Sequence, residues 1–436
     1  AYSLRSLGTR QATLAATGDT VARADGKYVA QVRRSSDDAL KSFTATEITD
    51  GTLLAFTNED STQYMQFDGS DDDIDVNAAL LPATDNFTLT INFFIDGNPS
   101  SDESIFGQGS AGVAGRSNVQ IKSNGTAFNF INSIGSLTTS NAIVPQTINT
   151  IVLSRSGTTI SLQLNGGTAV TMTSSSSIQQ INSDISHAYA GANFEGVITS
   201  LSVGSTTWDG TVSNASSQGW TVNGSPSSAV LNDGFVKTWY DQSVDAGGDA
   251  HGNHATQATA ANQPKIVSAG TLLNELDFDG TEDIALATGS FSLTQAYTTF
   301  SVSHTDDAST AQGVWSTASS ITGAFNAVSL FRNDDGFAVN SGTTITTAGT
   351  IDYVADRTYL QTNVVNGASS SIFVDGATGV TGNAGSTNPS GILILGFYRA
   401  GGGNQNLDGG IKELIIYDSD QTDNRTAIEA NIGEVY

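Results

Sequence analysis

Much of the chain alternates apolar and polar residues with a period of two, the pattern of strands that bury one face of a sheet. Residues 150–167, TIVLSRSGTTISLQLNGG, and 358–377, TYLQTNVVNGASSSIFVDGA, each read as two such strands around a polar, glycine-containing turn, which predicts a β-hairpin in each. One convincing helical pattern is present, at the C-terminus. Ser419 or Asp420 supplies a cap, acids fill the first turn, Ala427, Ile428 and Ile432 share a face, and Gly433 ends it.

The strand pattern repeats. Phe67-Asp68-Gly69-Ser70 returns as Phe278-Asp279-Gly280-Thr281, 211 residues later. FTLTINFFID from Phe87 corresponds to YTTFSVSHTD from Tyr297, and FEGVITSLSVGSTTW (194–208) to LDGGIKELIIYDSD (407–420). A unit of about 150 residues with many short strands is too long for a solenoid repeat and suits one β-sandwich. The expectation is an all-β protein of two homologous sandwiches, 62–211 and 272–436, with an N-terminal segment 1–61 and a connector 212–271 that pack on each other.

Composition agrees with strands and tight turns: 46 Gly stand against 6 Pro in 436 residues. A net charge of −26 repels phosphate backbones and anionic lipid, which argues against nucleic-acid and membrane-surface partners. The absence of cysteine removes disulfides, thiolate nucleophiles and zinc-thiolate sites, and the four His are scattered. No apolar run is long enough to span a bilayer, and the first residues do not read as a signal peptide.

The strand openings QFDGSDDDIDV and LDFDGTEDIAL, with the closing pattern of Gly410, Ile411 and Leu414, resemble concanavalin A-like, laminin-G-type jelly-roll domains. A second resemblance is more particular. YVAQVRRSSDDA (28–39), WYDQS (239–243), GNHATQA (252–258) and NQPKIV (262–267) are similar to a block in the catalytic domain of fungal-type α-L-arabinofuranosidase B, a block also found in bacteriophage virion proteins that carry laminin-G-like jelly rolls. In such relatives the two halves of the block are close in sequence, which implies that 62–211 is inserted into an older unit. The fungal enzymes also use disulfides, absent here, and their catalytic carboxylate segments have no convincing match.

Four groups of residues carry candidate chemistry. Glu275, Asp277 and Asp279 alternate on one strand, so all three face one side of a sheet; the segment resembles the E-x-D-x-E strand of jelly-roll glucanases, which need paired carboxylates, except that its last acid is Asp and not Glu. The first copy has Tyr64, Gln66 and Asp68 there, so a recurring strand end explains the same letters. Asp71, Asp72, Asp73 and Asp75, echoed by Glu282 and Asp283, offer hard oxygens to calcium or else simply solubilise a loop. Asp245, Asp249, His251, Asn253 and His254 offer mixed ligands on one polar loop. In the motif block, Arg33 and Arg34 predict bidentate ion pairs, with Asp37 nearby and Asp241 as a partner, while Trp239 and Tyr240 present aromatic faces to a sugar or to the core.

Together these features lead to the expectation of a bacteriophage virion structural protein, a head or tail fibre, spike or decoration component on the particle surface. Its partners would be other virion proteins, further copies of itself and cell-surface glycans. A glycoside hydrolase of arabinofuranosidase type and a bacterial surface adhesin are the alternatives.

Overall fold

The computed structural model describes residues 2–5 and 28–436, apart from 60–61, 96, 111–112, 132–133, 146, 187–191, 244–252, 282–284, 288–290, 308, 321–322, 335 and 401–402. The chain divides into two compact units, one discontinuous (Ala1–Glu59 with Asn232–Tyr436) and one continuous and inserted (Asp60–Leu231). Both are β-sandwiches of largely antiparallel sheets, as the alternating pattern and the repeat predict, and of the jelly-roll class that the resemblance implies.

In the inserted unit one sheet runs Val170–Thr173, Thr159–Leu164, Ile148–Ser156, Phe87–Phe94, Glu195–Val203, Tyr64–Asp68, Ser227–Ala229. The other runs Gly135–Ala142, Thr126–Ile131, Ser117–Ile121, Glu103–Gln108, Ser183–Ile185, Asp73–Asp75, Thr221–Asn223. Alternation sends Leu89, Ile91 and Phe93 inward, and the hairpin of 150–167 closes over Gly157-Thr158 with Ile151 opposite Leu164 and Leu153 opposite Leu162. Gly157 takes φ +59°, a conformation the two-residue turn demands.

The discontinuous unit has one long sheet, in the pairing order Leu40–Thr44, Tyr28–Arg34, Gly234–Trp239, Lys265–Ser268, Thr271–Asp279, Asp408–Tyr417, Tyr297–Ser303, Tyr359–Val365, Ser370–Val374, Val380–Gly382. Facing it are Thr344–Thr346, Phe337–Asn340, Phe325–Phe331, Gln312–Ala318 and Ser390–Leu395. Between the layers Phe43, Trp239, Phe278, Trp315 and Phe331 are fully buried in one core.

Two sequence expectations change. The inserted unit ends at Leu231, not at 211. Trp208 and Trp220 pack at 6.3 Å, Thr221–Asn223 pairs with Asp73–Asp75, and Ser227–Ala229 pairs with Tyr64–Asp68, so the first third of the supposed connector completes both sheets of the first sandwich. The terminal helix spans Arg425–Gly433 and begins later than its supposed caps: Asp420 instead holds the turn before it through Thr422, and Ala427 is exposed. Its face is made by Ile428 and Ile432, which pack on Phe300, Val302, Ile415 and Tyr417.

The repeated Phe-Asp-Gly has one physical explanation in both units. Phe67 and Phe278 enter the cores, while Asp68 and Asp279 accept the backbone N–H of Ser70 (2.8 Å) and Thr281 (2.9 Å). Gly69 and Gly280 turn the chain at φ +75° and +74°. The partner strands match as well: Phe67 faces Gly196 and Asp68 faces Glu195, as Phe278 faces Gly409 and Asp279 faces Asp408. Gly196 (φ +149°) and Gly409 (φ +142°) admit no side chain, since a Cβ would fall 2.6 Å from the Phe94 carbonyl oxygen and 2.5 Å from that of His304. Gly196→Ala and Gly409→Ala are each expected to cost on the order of 2–3 kcal/mol, read as a lower midpoint in denaturant unfolding; a change within about 0.5 kcal/mol would contradict this account of the repeat.

Candidate functional site

The motif block lies next to the edge of the long sheet, inside the edge strand Leu40–Thr44. Antiparallel pairing sets Arg34 opposite Gly234 and Ala30 opposite Trp239. Arg34 grips both oxygens of Asp37 (2.9 and 2.8 Å) and reaches Glu59 (2.8 Å), and the guanidinium holds the Asp37 carboxyl down at about 2. Arg33 lies over the Phe235 ring at 4.5 Å and bonds Gln263 and Asp38. The expected pairing of these arginines with Asp241 is not found. Asp241 follows the far end of the Gly234–Trp239 strand, where its carboxylate accepts from Ser243.

Trp239 is fully buried beside Tyr2 (5.6 Å), so its ring belongs to the core and is closed to a sugar. Tyr240 is half-buried, packed edge-on against His254 at 5.0 Å, with its hydroxyl 3.0 Å from that of Ser42. Asp245, Asp249 and His251 lie outside the described residues. His254 Nδ1 accepts the Asp241 N–H, and the Asn253 carbonyl accepts from the Tyr2 hydroxyl.

The carboxylate strand Thr271–Asp279 does what its alternation promises: Leu276 and Phe278 are buried in the core, while Glu275, Asp277 and Asp279 share the other face. Tertiary structure adds groups that no local pattern reveals. Gly410 lies opposite Asp277, and a Cβ on it would sit 2.5 Å from both the Glu275 carboxyl and His304 Cε1. The bare glycine therefore lets Glu275 and His304 lean together. Glu275 Oε2 stands 3.5 Å from His304 Nδ1 and 3.6 Å from Lys412 Nζ, and His304 Nε2 lies 3.2 Å from Asp306. Glu275 Oε2 and His304 Nδ1 are buried, yet neither makes a well-formed hydrogen bond.

Burial pushes the Asp277 carboxyl up to about 6, with help from the charges of Glu275 and Asp306; Lys265, its cross-strand neighbour, pulls the other way. Burial also raises Glu275. His304 is raised despite its burial, held protonated by Asp306 and Glu275. Two half-buried carboxylates and an imidazolium on one face form an arrangement able to give and take protons.

In the inserted unit, Asp68, Asp71 and Asp72 bring carboxylate oxygens within 4.8 Å of one another. Asp72 is buried, accepting the backbone N–H groups of Asp68 and Ser225. Asp73 and Asp75 lie instead on the adjoining strand, where both meet the Asn223 amide. Glu282 and Asp283 lie outside the described residues. Of these three acids Asp71 and Asp72 belong to the acidic run singled out in the sequence, whereas Asp68 is brought to them by the turn of the repeat motif. Three hard oxygen donors fit calcium better than a transition metal.

No family model matches the chain, and no curated protein matches its sequence. Among solved structures, the LG1-3 region of the laminin α2 chain is similar over 82% of this chain and 62% of its own length, at 10% identity and TM-score 0.32. Mouse laminin α1 domains LG4-5 are similar over 81% and 88%, at 10% identity and TM-score 0.27. A mutant GH54 α-L-arabinofuranosidase soaked with 4-nitrophenyl α-L-arabinofuranoside is similar over 47% and 51%, at 15% identity and TM-score 0.34. The chain spans less than two thirds of the laminin α2 region. Likeness at this distance assigns no residue a role.

The shifted groups make a test of the charged face. Asp277 rises from 3.8 to about 6, so the folded state holds its proton more tightly than the unfolded chain. Its contribution to stability is present below about pH 4 and is lost as pH rises through about 6. Asp277→Asn should therefore be at least as stable as the parent at pH 7 and should lose less stability between pH 4 and 7, measured by urea unfolding across that range. An unchanged pH slope would show that Asp277 titrates normally.

Proposed function

We propose that the chain is a structural and adhesive component of a bacteriophage virion, a head or tail fibre, spike or decoration protein displayed on the particle surface. The observation that carries this reading is how the motif block is used. Arg33, Arg34 and Trp239, the residues of the block with most chemical potential, are committed to ion pairs, ring stacking and core, which makes the block a scaffold element. What remains available to partners is the outer surface of two sandwiches carrying a strong negative charge. Such a surface suits contacts with other virion proteins and further copies of the chain, together with weak, multivalent contacts to neutral glycans. Calcium at Asp68, Asp71 and Asp72 would join the end of the Tyr64–Asp68 strand to the loop that follows.

The charged face supports one second reading, a glycoside hydrolase in which Asp277 donates a proton and Glu275 acts as the carboxylate. It predicts hydrolysis of an aryl glycoside that disappears in both Asp277→Asn and Glu275→Gln. Activity surviving both changes would dismiss it.

The main reading predicts peptides of this chain in the mass spectrum of purified virions, and their absence would sink it. Glycan arrays probed with and without chelator separate its lectin-like part from a purely architectural role. For the cation, millimolar calcium should raise the melting temperature of the parent and leave an Asp68→Asn/Asp71→Asn double variant unmoved; saturation to 100 times the Kd corresponds to about 2.7 kcal/mol. Equal melting of the parent with calcium and with EDTA would remove calcium from the account.

A further inference from the structure

The discontinuous unit has a cleft that none of the candidate residues above lines. Its C-terminal helix packs on the outer face of the long sheet over Asp408–Tyr417 and Tyr297–Ser303 and leaves beside it a cavity of about 430 Å³, within the usual range of small-ligand sites. The floor is aliphatic: Val302, Leu360 and Ile432. The rim is polar and comes from three elements, Thr358 at the start of one strand, Asp375 and Gly376 in a hairpin turn, and Arg425 and Glu429 on the helix.

These rim groups are held in place without being exhausted. Glu429 accepts one bond on each oxygen, from the Thr362 hydroxyl (2.7 Å) and from Arg425 (2.5 Å). Each oxygen keeps a second lone pair. Arg425 spends one nitrogen on Glu429, and its guanidinium lies 3.9 Å from the centre of the Phe373 ring, so its plane is fixed. Its remaining N–H groups have no partner among the described residues. Asp375 likewise accepts one bond per oxygen, from the Leu360 N–H (3.0 Å) and from Arg357 (2.9 Å). A Cβ on Gly376 would lie 3.8 Å from Glu429 Oε2, so the turn and the helix face each other closely across the opening.

From this geometry we infer that the cleft is a binding site for one pyranose-sized sugar residue. The three ionised side chains that line the cleft, Arg425, Glu429 and Asp375, together with Arg357, which pairs with Asp375 from outside the lining, sum to zero charge and are already paired, which disfavours an anion, a metal ion or a cationic peptide. What they offer is a set of fixed donors and acceptors, the means by which sugar hydroxyls are read, above an apolar floor that suits the C–H face of a ring. This assignment rests on the proposed glycan-binding role and locates it away from Trp239 and Tyr240.

The test compares the parent with Ala430→Phe and Thr426→Trp, both of which place bulk at the cleft from exposed helix positions. Each variant is first checked for an unchanged melting temperature, and the two together guard against one that fails to fold. All three are screened on a glycan array, and the best glycan is titrated by calorimetry. The expected result is glycan binding by the parent, a loss of at least tenfold in affinity in each folded variant, and competition by the methyl glycoside of a single terminal residue. Folded variants that bind like the parent would overturn this location while leaving the glycan reading intact. A parent that binds no glycan, with or without calcium, would overturn both.

Discussion

The architecture depends on one close approach of backbone to backbone. At Gly196 and at Gly409 a strand passes its neighbour with no room for a Cβ, and the phenylalanine directly opposite each glycine, Phe67 or Phe278, fills the core. Glycine supplies the positive φ, the aspartate after each phenylalanine ties its own turn, and a second glycine reverses the chain. The same four-part junction at the same register in both units ties the first strand of each sandwich to its last long strand. Without it each of these strands would keep only the neighbour on its other side, Ser227–Ala229 or Lys265–Ser268.

That junction was legible because its parts are local and its letters are rare. Phe-Asp-Gly occurs at the end of an alternating strand in both copies, and hairpin 150–167 was legible for the same reason: period-two alternation and a glycine turn are written in adjacent residues. What escaped the sequence is non-local or short. Thr221–Asn223 and Ser227–Ala229 hold three residues each, mostly polar, and are strands only because Asp73–Asp75 and Tyr64–Asp68 offer free edges. His304 joins Glu275 by sheet register across Gly410, over a separation of sequence that no motif spans. The pairing of Arg34 with Asp37 was written three residues apart, whereas the assignment to Asp241 failed because antiparallel pairing puts Asp241 at the opposite end of the ladder.

Electrostatics gives the scarce bases particular positions. With 17 bases against 43 acids, a randomly placed Lys or Arg would find an acid anywhere. Yet Arg5 grips the fully buried Glu413 with both forks (2.6 and 2.7 Å), Lys265 meets Asp233, and Arg425 meets Glu429. Each pair joins segments far apart in the chain or anchors an element that packs on the sheet. Arg155 goes further: buried at one end of its strand, it donates to the carbonyls of Gly157, Ala83, Ser176 and Ser174, binding three loops without any carboxylate. Carbonyl dipoles aimed at a fixed cation are already organised in the folded chain, so desolvation is offset by hydrogen bonds rather than by a counter-charge. In a chain this acidic, bases serve as clamps more than as a means of attracting ligands.

The two sandwiches share the junction but not the face beside it. Where the discontinuous unit has Glu275 and Asp277, the inserted unit has Tyr64 and Gln66 at corresponding positions, and a face without those two half-buried acids needs neither a histidine nor lysines to balance them. Buried acids are costly unless partnered, so once Glu275 and Asp277 occupy that face, His304, Lys412 and Lys265 become structurally necessary. The network thus explains itself as charge compensation around two half-buried carboxylates. That accounts for the ion pairs but not for the acids. Two acids kept on a face where the sister unit does without them, one of them raised to about 6, bring a destabilising element that packing alone does not require. Specialisation after duplication should therefore be sought on this face and on the helix-covered part of the same sheet, while the shared junction holds both sandwiches to one architecture.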